Sequence, residues 1–206
     1  SDDAKKLLNI SKEKNTRFII LDDYRVDEKY QVVLSHFGIK WLQFESPVNN
    51  PIWADIIVNP NPAAQQQNYM NMLRNSQAQL LLGPRYAVLR SEFSNLPIRN
   101  TREKLENILI TFGGGDDRGA ILFVLSNLMP VSSQSLTFTI ISGQHNPNNA
   151  KLSKWIVSHG EGRAQLLINP PNIAKIMINC DLAIMSSGTS SLEAVCCGLP
   201  MLLIAI

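Results

Sequence analysis

The sequence predicts an α/β protein that is built on parallel sheets, and three observations lead to this fold class. Short apolar runs alternate with helical segments along much of the chain, most regularly after residue 105. The runs are bounded by charged or turn-forming residues, which is typical of strands buried inside a sheet. Glycine or small polar residues follow several runs, where each strand would turn into its helix. We therefore expect parallel strands with helices on both faces of the sheet.

Composition narrows the class of protein and its possible partners. Of the 206 residues, 45% are hydrophobic and 17% are charged, as expected of a globular protein with a sizeable core. The net charge is +2 without any basic run, so composition predicts neither nucleic acid nor a membrane as a partner. No apolar stretch is long enough for a transmembrane helix, and the first residues lack the layout of a signal peptide.

Three cysteines, Cys180, Cys196 and Cys197, lie close together near the end of the chain. Their odd number and the absence of paired C-x-x-C spacing disfavour a disulfide framework or a zinc site. We expect all three to be buried and reduced, which indicates a cytoplasmic protein.

The first half of the chain predicts four strands. The predicted strands are 17–21, 40–44, 54–58 and 80–82, and the predicted helices are 3–15 and 27–36. Asp22, Asp23 and Tyr24 follow the first strand, where an α/β protein places a ligand. The two aspartates would serve equally to cap the next helix, and the residues leave both alternatives open. The polar, Gln-rich segment around Tyr69 is a further candidate helix.

Two arginines and a polar stretch mark the middle of the chain. Arg85 and Arg90 could each hold a phosphate or form a structural ion pair. Residues 94–104 are polar and contain a proline, which is typical of a linker. The sequence therefore predicts an N-terminal domain at 1–93 and a C-terminal domain at 105–206.

The second half is the more regular one. Its predicted strands are 107–112, 136–142, 164–168, 182–185 and 201–206, and its predicted helices are 118–128, 150–159, 172–179 and 189–198. The first of these strands ends in Gly113, Gly114 and Gly115, which do not match the G-x-G-x-x-G pattern of a dinucleotide site. Three glycines allow a phosphate or sugar to approach the backbone closely, whereas a tight turn alone rarely needs all three. We therefore favour a ligand contact over a simple turn.

A second candidate for the same ligand lies between Cys180 and Pro200. A strand is followed there by small residues and the start of a helix, at Ser186, Ser187, Gly188, Thr189 and Ser190. Backbone N–H groups and the helix dipole would favour a phosphate, and Glu193 could accept hydrogen bonds from a ribose. Ser190 and Glu193 also fit a capping box. When these residues are considered by themselves, the capping box is favoured over a ligand site. Parallel strands would bring this turn and the glycine run to one edge of the sheet, which favours a ligand at both.

The sequence shows no complete catalytic set. His36, His145 and His159 stand in unrelated contexts, and a surface loop is the favoured place for His145. The chain has no G-x-S-x-G elbow, no H-E-x-x-H pair and no Walker loop. It therefore shows a plausible binding site without a complete catalytic set, and we expect no cofactor.

Five segments together resemble a known family over nearly the whole chain. They are Asp22-Asp23-Tyr24, Asn59-Pro60-Asn61, GPRYAVLRSEF from Gly83 to Phe93, Thr111-Phe112-Gly113-Gly114, and SGTSSLEA from Ser187 to Ala194. The set resembles the UDP-sugar hydrolases of pseudaminic acid biosynthesis, the PseG family. These are similar in fold to MurG and other GT-B glycosyltransferases, so the resemblance implies a GT-B-like α/β fold with two Rossmann-like domains.

The resemblance also implies an activity and a set of contacts. The implied enzyme is a cytoplasmic hydrolase that uses no metal and releases UDP from a UDP-2,4-diacetamido-2,4,6-trideoxy-β-L-altropyranose type of substrate. The implied nucleotide contacts in the C-terminal domain are Gly113, Gly114, Ser187, Gly188, Thr189, Ser190 and Glu193. Tyr24 matches a family tyrosine near the sugar.

The chain departs from the family pattern in three places. Asp23 stands where the family often has histidine, and the chain stops at Ile206, ahead of a family Asp-Asn-Gln-like segment. The family's G-x-G-H segment, whose histidine is taken to activate the attacking water, has no counterpart here. The resemblance therefore implies a fragment truncated at both ends, with the catalytic histidine upstream of residue 1. A GT-B glycosyltransferase and a non-catalytic nucleotide-sugar binding module remain as alternative functions.

Overall fold

The computed structural model describes residues 2–44, 50–99 and 104–206. The chain divides into two compact units, Ser1–Val88 and Leu89–Ile206. Each unit is an α/β structure with a parallel sheet, as the sequence predicts.

The first unit is organised around a four-stranded sheet in the order β1-β2-β3-β4, in which every neighbouring pair is parallel. Its elements are α1 (Asp2–Glu13), β1 (Phe18–Leu21), α2 (Glu28–His36), β2 (Lys40–Phe44), β3 (Ile56–Asn59) and β4 (Gln79–Leu82). Its core combines residues of the sheet and both helices, among them Leu8, Leu34, Trp41 and Ile57. Alternate residues of β1 are buried, because successive side chains of a strand point to opposite faces.

The cap of α2 is not one of the two aspartates that follow β1. Asp27 precedes the helix and its Oδ1 accepts a hydrogen bond of 2.8 Å from the backbone N–H of Tyr30. The alternative in which Asp22 and Asp23 cap this helix is therefore wrong, because the chain makes a further turn before the helix begins.

The Gln-rich segment forms only one short 3₁₀ turn, Gln66–Asn68, instead of the helix considered for it. Tyr69 follows this turn with its side chain fully buried. Its hydroxyl accepts a hydrogen bond of 2.8 Å from the Asn59 side chain at the end of β3. Tertiary contact therefore decides the conformation of this segment, since a buried hydroxyl needs a partner.

The second unit contains a five-stranded parallel sheet in the order β7-β6-β5-β8-β9. Its elements are β5 (Asn107–Thr111), α3 (Ala120–Leu128), β6 (Thr137–Ser142), α4 (Asn149–His159), β7 (Ala164–Ile168), α5 (Ile173–Asn179), β8 (Leu182–Met185), α6 (Thr189–Cys196) and β9 (Met201–Leu203). The chain moves outward from β5 through β6 to β7 and then returns to place β8 on the other side of β5. This reversal is the topological switch point at which α/β proteins bind ligands.

Successive residues of β5 belong to two separate cores. Ile108 and Ile110 lie in a cluster with residues of α3 and α4. Leu109 lies in a second cluster with residues of α5 and α6. The predicted arrangement of helices on both faces of the sheet is therefore confirmed for this unit.

The boundary between the units lies before the one predicted at residue 93, and residues 94–99 belong to the second unit. Phe93 is 7% exposed within a core cluster of that unit. Arg99 donates to the carbonyl of Ile178 at 3.2 Å and pairs with Asp181 at 3.9 Å. These contacts explain the difference, since a polar stretch with such partners is not a separate linker. Residues 100–103 of the predicted linker lie outside the described residues.

The three cysteines divide by burial. Cys180 and Cys197 are buried, whereas Cys196 is exposed on the outer side of α6, so the prediction that all three are buried is wrong for Cys196. Neighbouring residues on a helix project in directions about 100° apart, which separates Cys196 from Cys197. None of the three forms a disulfide in the part of the chain that the structure describes.

Candidate functional site

The two turns that the sequence singled out begin side by side. β5 and β8 are neighbours in parallel register, with Thr111 opposite Met185 at their carboxyl ends. The glycine turn after β5 and the small-residue turn after β8 therefore start at the same edge of the sheet, as expected. They flank the switch point of this sheet.

The glycine turn presents its backbone without side chains. Gly113 has φ +89°, a conformation that favours glycine, and Cβ atoms on Gly113, Gly114 or Gly115 would meet nothing within 4 Å. Among the described residues, the N–H groups of Gly114 and Gly115 have no hydrogen-bond partner. Open space and available donors are what a close approach by an anion needs.

A buried carboxylate fixes the end of the glycine turn. Asp117 is 1% exposed, and its Oδ2 accepts from the N–H of Ile121 at 2.9 Å in the first turn of α3. Its Oδ1 accepts from the Asn148 side chain at 2.6 Å, which comes from the turn before α4. This contact was not predicted from the sequence, although an Asp just before a helix is a capping signal.

The turn after β8 leads into α6 through Gly188, whose φ is +154°. Ser191 secures this helix start: its hydroxyl donates to the carbonyl of Gly188 at 2.7 Å, and its N–H donates to the same oxygen at 3.1 Å. Within the described residues, the N–H groups of Thr189 and Ser190 have no partner. The first turn of α6 therefore offers donors at the positive end of its dipole.

The capping box predicted for Ser190 and Glu193 is wrong. Gly188 is the N-cap residue, and its N–H donates to the Ser191 hydroxyl at 3.4 Å. The Glu193 side chain binds an arginine instead. Glu193 is 5% exposed, and its Oε1 accepts from Nη2 of Arg90 at 2.8 Å and from Nε at 3.2 Å. Of the two roles open to Arg90, the structure shows the ion pair. A buried carboxylate is thus held by Arg90 one turn into α6.

The remaining predicted site residues belong to the first unit. Tyr24 is 92% exposed after β1. Beside it, Asp23 pairs with Arg25 at 2.6 Å, and the hydrogen bonds from Arg25 lower the pKa of Asp23 to about 2. Arg85 lies over the ring of Tyr86 at 4.8 Å and has no ion-pair partner among the described residues. Their predicted roles with sugar and phosphate stay predictions.

His145 is exposed in the turn after β6, as the sequence favours. The described residues contain no cluster of three or more His, Cys, Asp or Glu side chains that could hold a metal ion. Within the same residues, no helix has the length and apolar character needed to cross a membrane.

The chain is similar in sequence to two curated proteins. It is 26% identical over 194 residues to the uncharacterized protein MJ1062 of Methanocaldococcus jannaschii, which covers 90% of this chain and 40% of that protein. It is 24% identical over 170 residues to the spore coat polysaccharide biosynthesis protein SpsG of Bacillus subtilis, which covers 81% of this chain and 45% of that protein. The chain thus spans less than half the length of these relatives. No protein-family model matches it.

Solved structures are similar over nearly the whole chain. MnaA of S. aureus bound to UDP gives a TM-score of 0.63 at 13% identity, covering 99% of this chain and 61% of that one. Anabaena HepE in complex with UDP gives 0.56 at 14% identity, covering 97% and 62%. The fold is GT-B-like. UDP-N-acetylglucosamine 2-epimerase from Rickettsia bellii gives 0.57 at 12% identity, covering 96% and 58%. At such identities the likeness shows the fold alone, and function has to be argued from the site.

Proposed function

We propose that this chain binds the UDP part of a nucleotide sugar at the two turns after β5 and β8. One observation carries the proposal: two glycine-containing turns with available N–H groups start side by side, and the second turn leads into the helix that carries the buried carboxylate of Glu193. Two of the solved structures with this fold, MnaA and HepE, are described as complexes with UDP. The geometry of the turns and the two UDP complexes both concern the nucleotide part of the ligand, and neither concerns the sugar.

The chemistry of the two turns suits a diphosphate. Backbone N–H groups of Gly114, Gly115, Thr189 and Ser190 would donate to phosphate oxygens. Neutral donors at a helix start would favour negative charge without a metal ion. Glu193 would accept a hydrogen bond from a ribose hydroxyl. Serine and threonine hydroxyls of Ser187, Thr189 and Ser190 are further donors within the same turn.

The reaction that we propose is hydrolysis, in which water replaces UDP at the anomeric carbon and the free sugar is released. Charge that develops on the departing diphosphate would be stabilised by the same N–H groups. The resemblance of five sequence segments to hydrolases of UDP-linked diacetamido-trideoxy sugars supports this choice. The name of the relative SpsG also refers to polysaccharide biosynthesis. A cytoplasmic location belongs to the same proposal.

Calorimetry with UDP, UMP and UDP-N-acetylglucosamine tests the binding step. We expect UDP to bind more tightly than UMP, because the second phosphate reaches the turns. Glu193→Ala should weaken UDP binding by about tenfold, the usual effect of losing one charge-assisted hydrogen bond. The exposed Lys154 on α4 provides a control, and Lys154→Ala should leave the affinity unchanged. Unchanged UDP affinity in Glu193→Ala would exclude the ribose contact.

A glycosyltransferase is the second candidate, because two further structures with this fold carry that description. They are the pneumococcal O-GlcNAc transferase GtfA, with a TM-score of 0.54, and a glycosyltransferase from Rickettsia africae, with 0.60. The test uses the protein extended upstream to include the expected catalytic histidine. In that protein, UDP release from a UDP-sugar in water alone supports the hydrolase. Release only after an acceptor is added supports the transferase, and binding without any release supports a non-catalytic module.

A further inference from the structure

The ion pair between Arg90 and Glu193 is asymmetric. Both donating nitrogens of Arg90 reach the same carboxylate oxygen, Oε1, at 2.8 and 3.2 Å. Oε2 of Glu193 has no hydrogen-bond partner among the described residues. The carboxylate therefore keeps one oxygen available, although the Glu193 side chain is only 7% exposed.

Arg90 is itself held by its neighbours. Its Nη1 lies 3.6 Å from Oε1 of Glu92, and its guanidinium lies over the ring of Phe93 at 5.4 Å. The same oxygen of Glu92 accepts a hydrogen bond of 2.9 Å from the N–H of Ile173, at the start of α5. Contacts with Glu92 and Phe93 thus hold the guanidinium of Arg90 in the position from which it binds Glu193.

We propose that Arg90 is a positioning residue, which orients Glu193 so that Oε2 accepts a hydrogen bond from the ribose of the nucleotide. This inference rests on the proposed function, because it assumes that a nucleoside diphosphate occupies the two turns. Arg90 neutralises a carboxylate that would otherwise be buried without a partner charge. By taking Oε1, it also prevents the carboxylate from rotating freely, which leaves one defined acceptor for a hydroxyl.

A consequence is that Arg90 sets the preference for ribonucleotides without touching the nucleotide. A site that is built to bond a hydroxyl rejects the analogue that lacks it, because the buried polar group is then left unpaired. UDP should therefore bind at least about tenfold more tightly than 2′-deoxy-UDP or 3′-deoxy-UDP, whichever lacks the bonded hydroxyl.

The test compares the affinities of UDP, 2′-deoxy-UDP and 3′-deoxy-UDP by calorimetry for the 206-residue chain and its variants. Arg90→Met keeps the length and apolar stem of the side chain but removes the donors. We expect it to weaken UDP binding about tenfold, with little change for the deoxy analogue, so that the preference for ribose disappears. Arg90→Lys, which keeps the charge but not the planar fork, should give an intermediate preference. Lys154→Met removes an exposed positive charge elsewhere and should change nothing.

A double variant separates positioning from general damage. If Arg90 acts through Glu193, adding Arg90→Met to Glu193→Gln should not lower the UDP affinity further. Equal losses for all three ligands, or a higher UDP affinity in Arg90→Met, would overturn the proposal. The first result would mean a purely structural arginine, and the second an arginine that competes with the ribose. If thermal melting shows that Arg90→Met does not fold, Arg90→Lys takes its place in the test. A reduced preference of Arg90→Lys for UDP over the deoxy analogue then supports the proposal, and an unchanged preference overturns it.

Measurements on the chain without substitutions distinguish a failure of this inference from a failure of the proposed function. Tight UDP binding without any preference over the deoxy analogues would leave the nucleotide site in place and exclude the role of Arg90. The absence of UDP binding would exclude both.

Discussion

Gly143 and Gly114 lie in direct backbone contact: a Cβ atom on Gly143 would fall 1.7 Å from the carbonyl oxygen of Gly114. Gly143 follows β6, and Gly114 belongs to the glycine turn that follows β5. The turn after one strand thus supports the turn after its neighbour, and no side chain fits between them. This contact accounts for a glycine at position 143, where the φ angle does not require one.

Gly143→Ala should therefore destabilise the chain and displace the glycine turn. We expect the free energy of unfolding to fall by about 2–3 kcal/mol, as for other overpacked sites, and UDP affinity to fall with it. Chemical denaturation measures the first effect and calorimetry the second. Gly115→Ala is the matched control for stability, since its Cβ would meet nothing within 4 Å. Equal stabilities of the two variants would contradict the contact.

Asp117→Ala should show how strongly the buried carboxylate secures α3. The variant loses the hydrogen bonds from Ile121 N–H and from the Asn148 side chain. The Ile121 N–H is left without its acceptor, and the Asn148 amide keeps only the longer bond of 3.3 Å to Asp116. We expect a loss of about 2–3 kcal/mol in the free energy of unfolding, measured in urea. Asp116→Ala, at the exposed neighbouring carboxylate, should cost less than about 1 kcal/mol. A larger effect at Asp116 than at Asp117 would contradict this assignment.

The pair of Asp23 and Arg25 predicts a specific dependence on pH. The folded pKa of Asp23 is lowered from 3.8 to about 2, so the contribution of the pair to stability is present above pH 3.8 and is lost as pH falls through about 2. The pair is exposed, and its effect on stability should be small. NMR titration of the Asp23 carboxyl group should give a midpoint near 2, and Arg25→Ala should return it towards 3.8. An unchanged midpoint in Arg25→Ala would exclude the pair as the cause.

The cysteines should differ in their reaction with an alkylating reagent. Cys196 is exposed, whereas Cys180 and Cys197 are buried, and burial raises the pKa of Cys197 to about 11. Since the thiolate is the reactive form, one thiol should react in the folded chain at pH 8 and all three in denaturant. Mass spectrometry counts the labels and identifies their positions. Cys196→Ser should leave the folded chain unlabelled, and rapid labelling of Cys197 in the folded state would contradict its burial.

The elements that the sequence predicted well depend on local patterns. The strands at 40–44, 164–168 and 182–185 have the predicted bounds, because apolar runs bounded by turn residues specify them locally. Helix starts were less accurate: α3 begins at Ala120, after Gly119 in a left-handed conformation, and not at Arg118. Asp117 accepts from the N–H of Ile121 in the first turn of this helix. The segment around Tyr69 was not predictable, since its conformation follows from the contact with Asn59.

The sequence by itself determined the α/β class and both candidate turns, because strand periodicity and the rules of parallel sheets place successive carboxyl ends at one edge. Only the tertiary structure decided what surrounds those turns. Arg90 lies 103 residues before the glutamate that it holds, and Gly143 supports a turn that belongs to another strand. No local pattern encodes such pairings, since they depend on which segments the fold brings together in space. The sequence assigned Glu193 to a helix cap or to a ribose contact. In the folded chain its side chain forms an ion pair with Arg90.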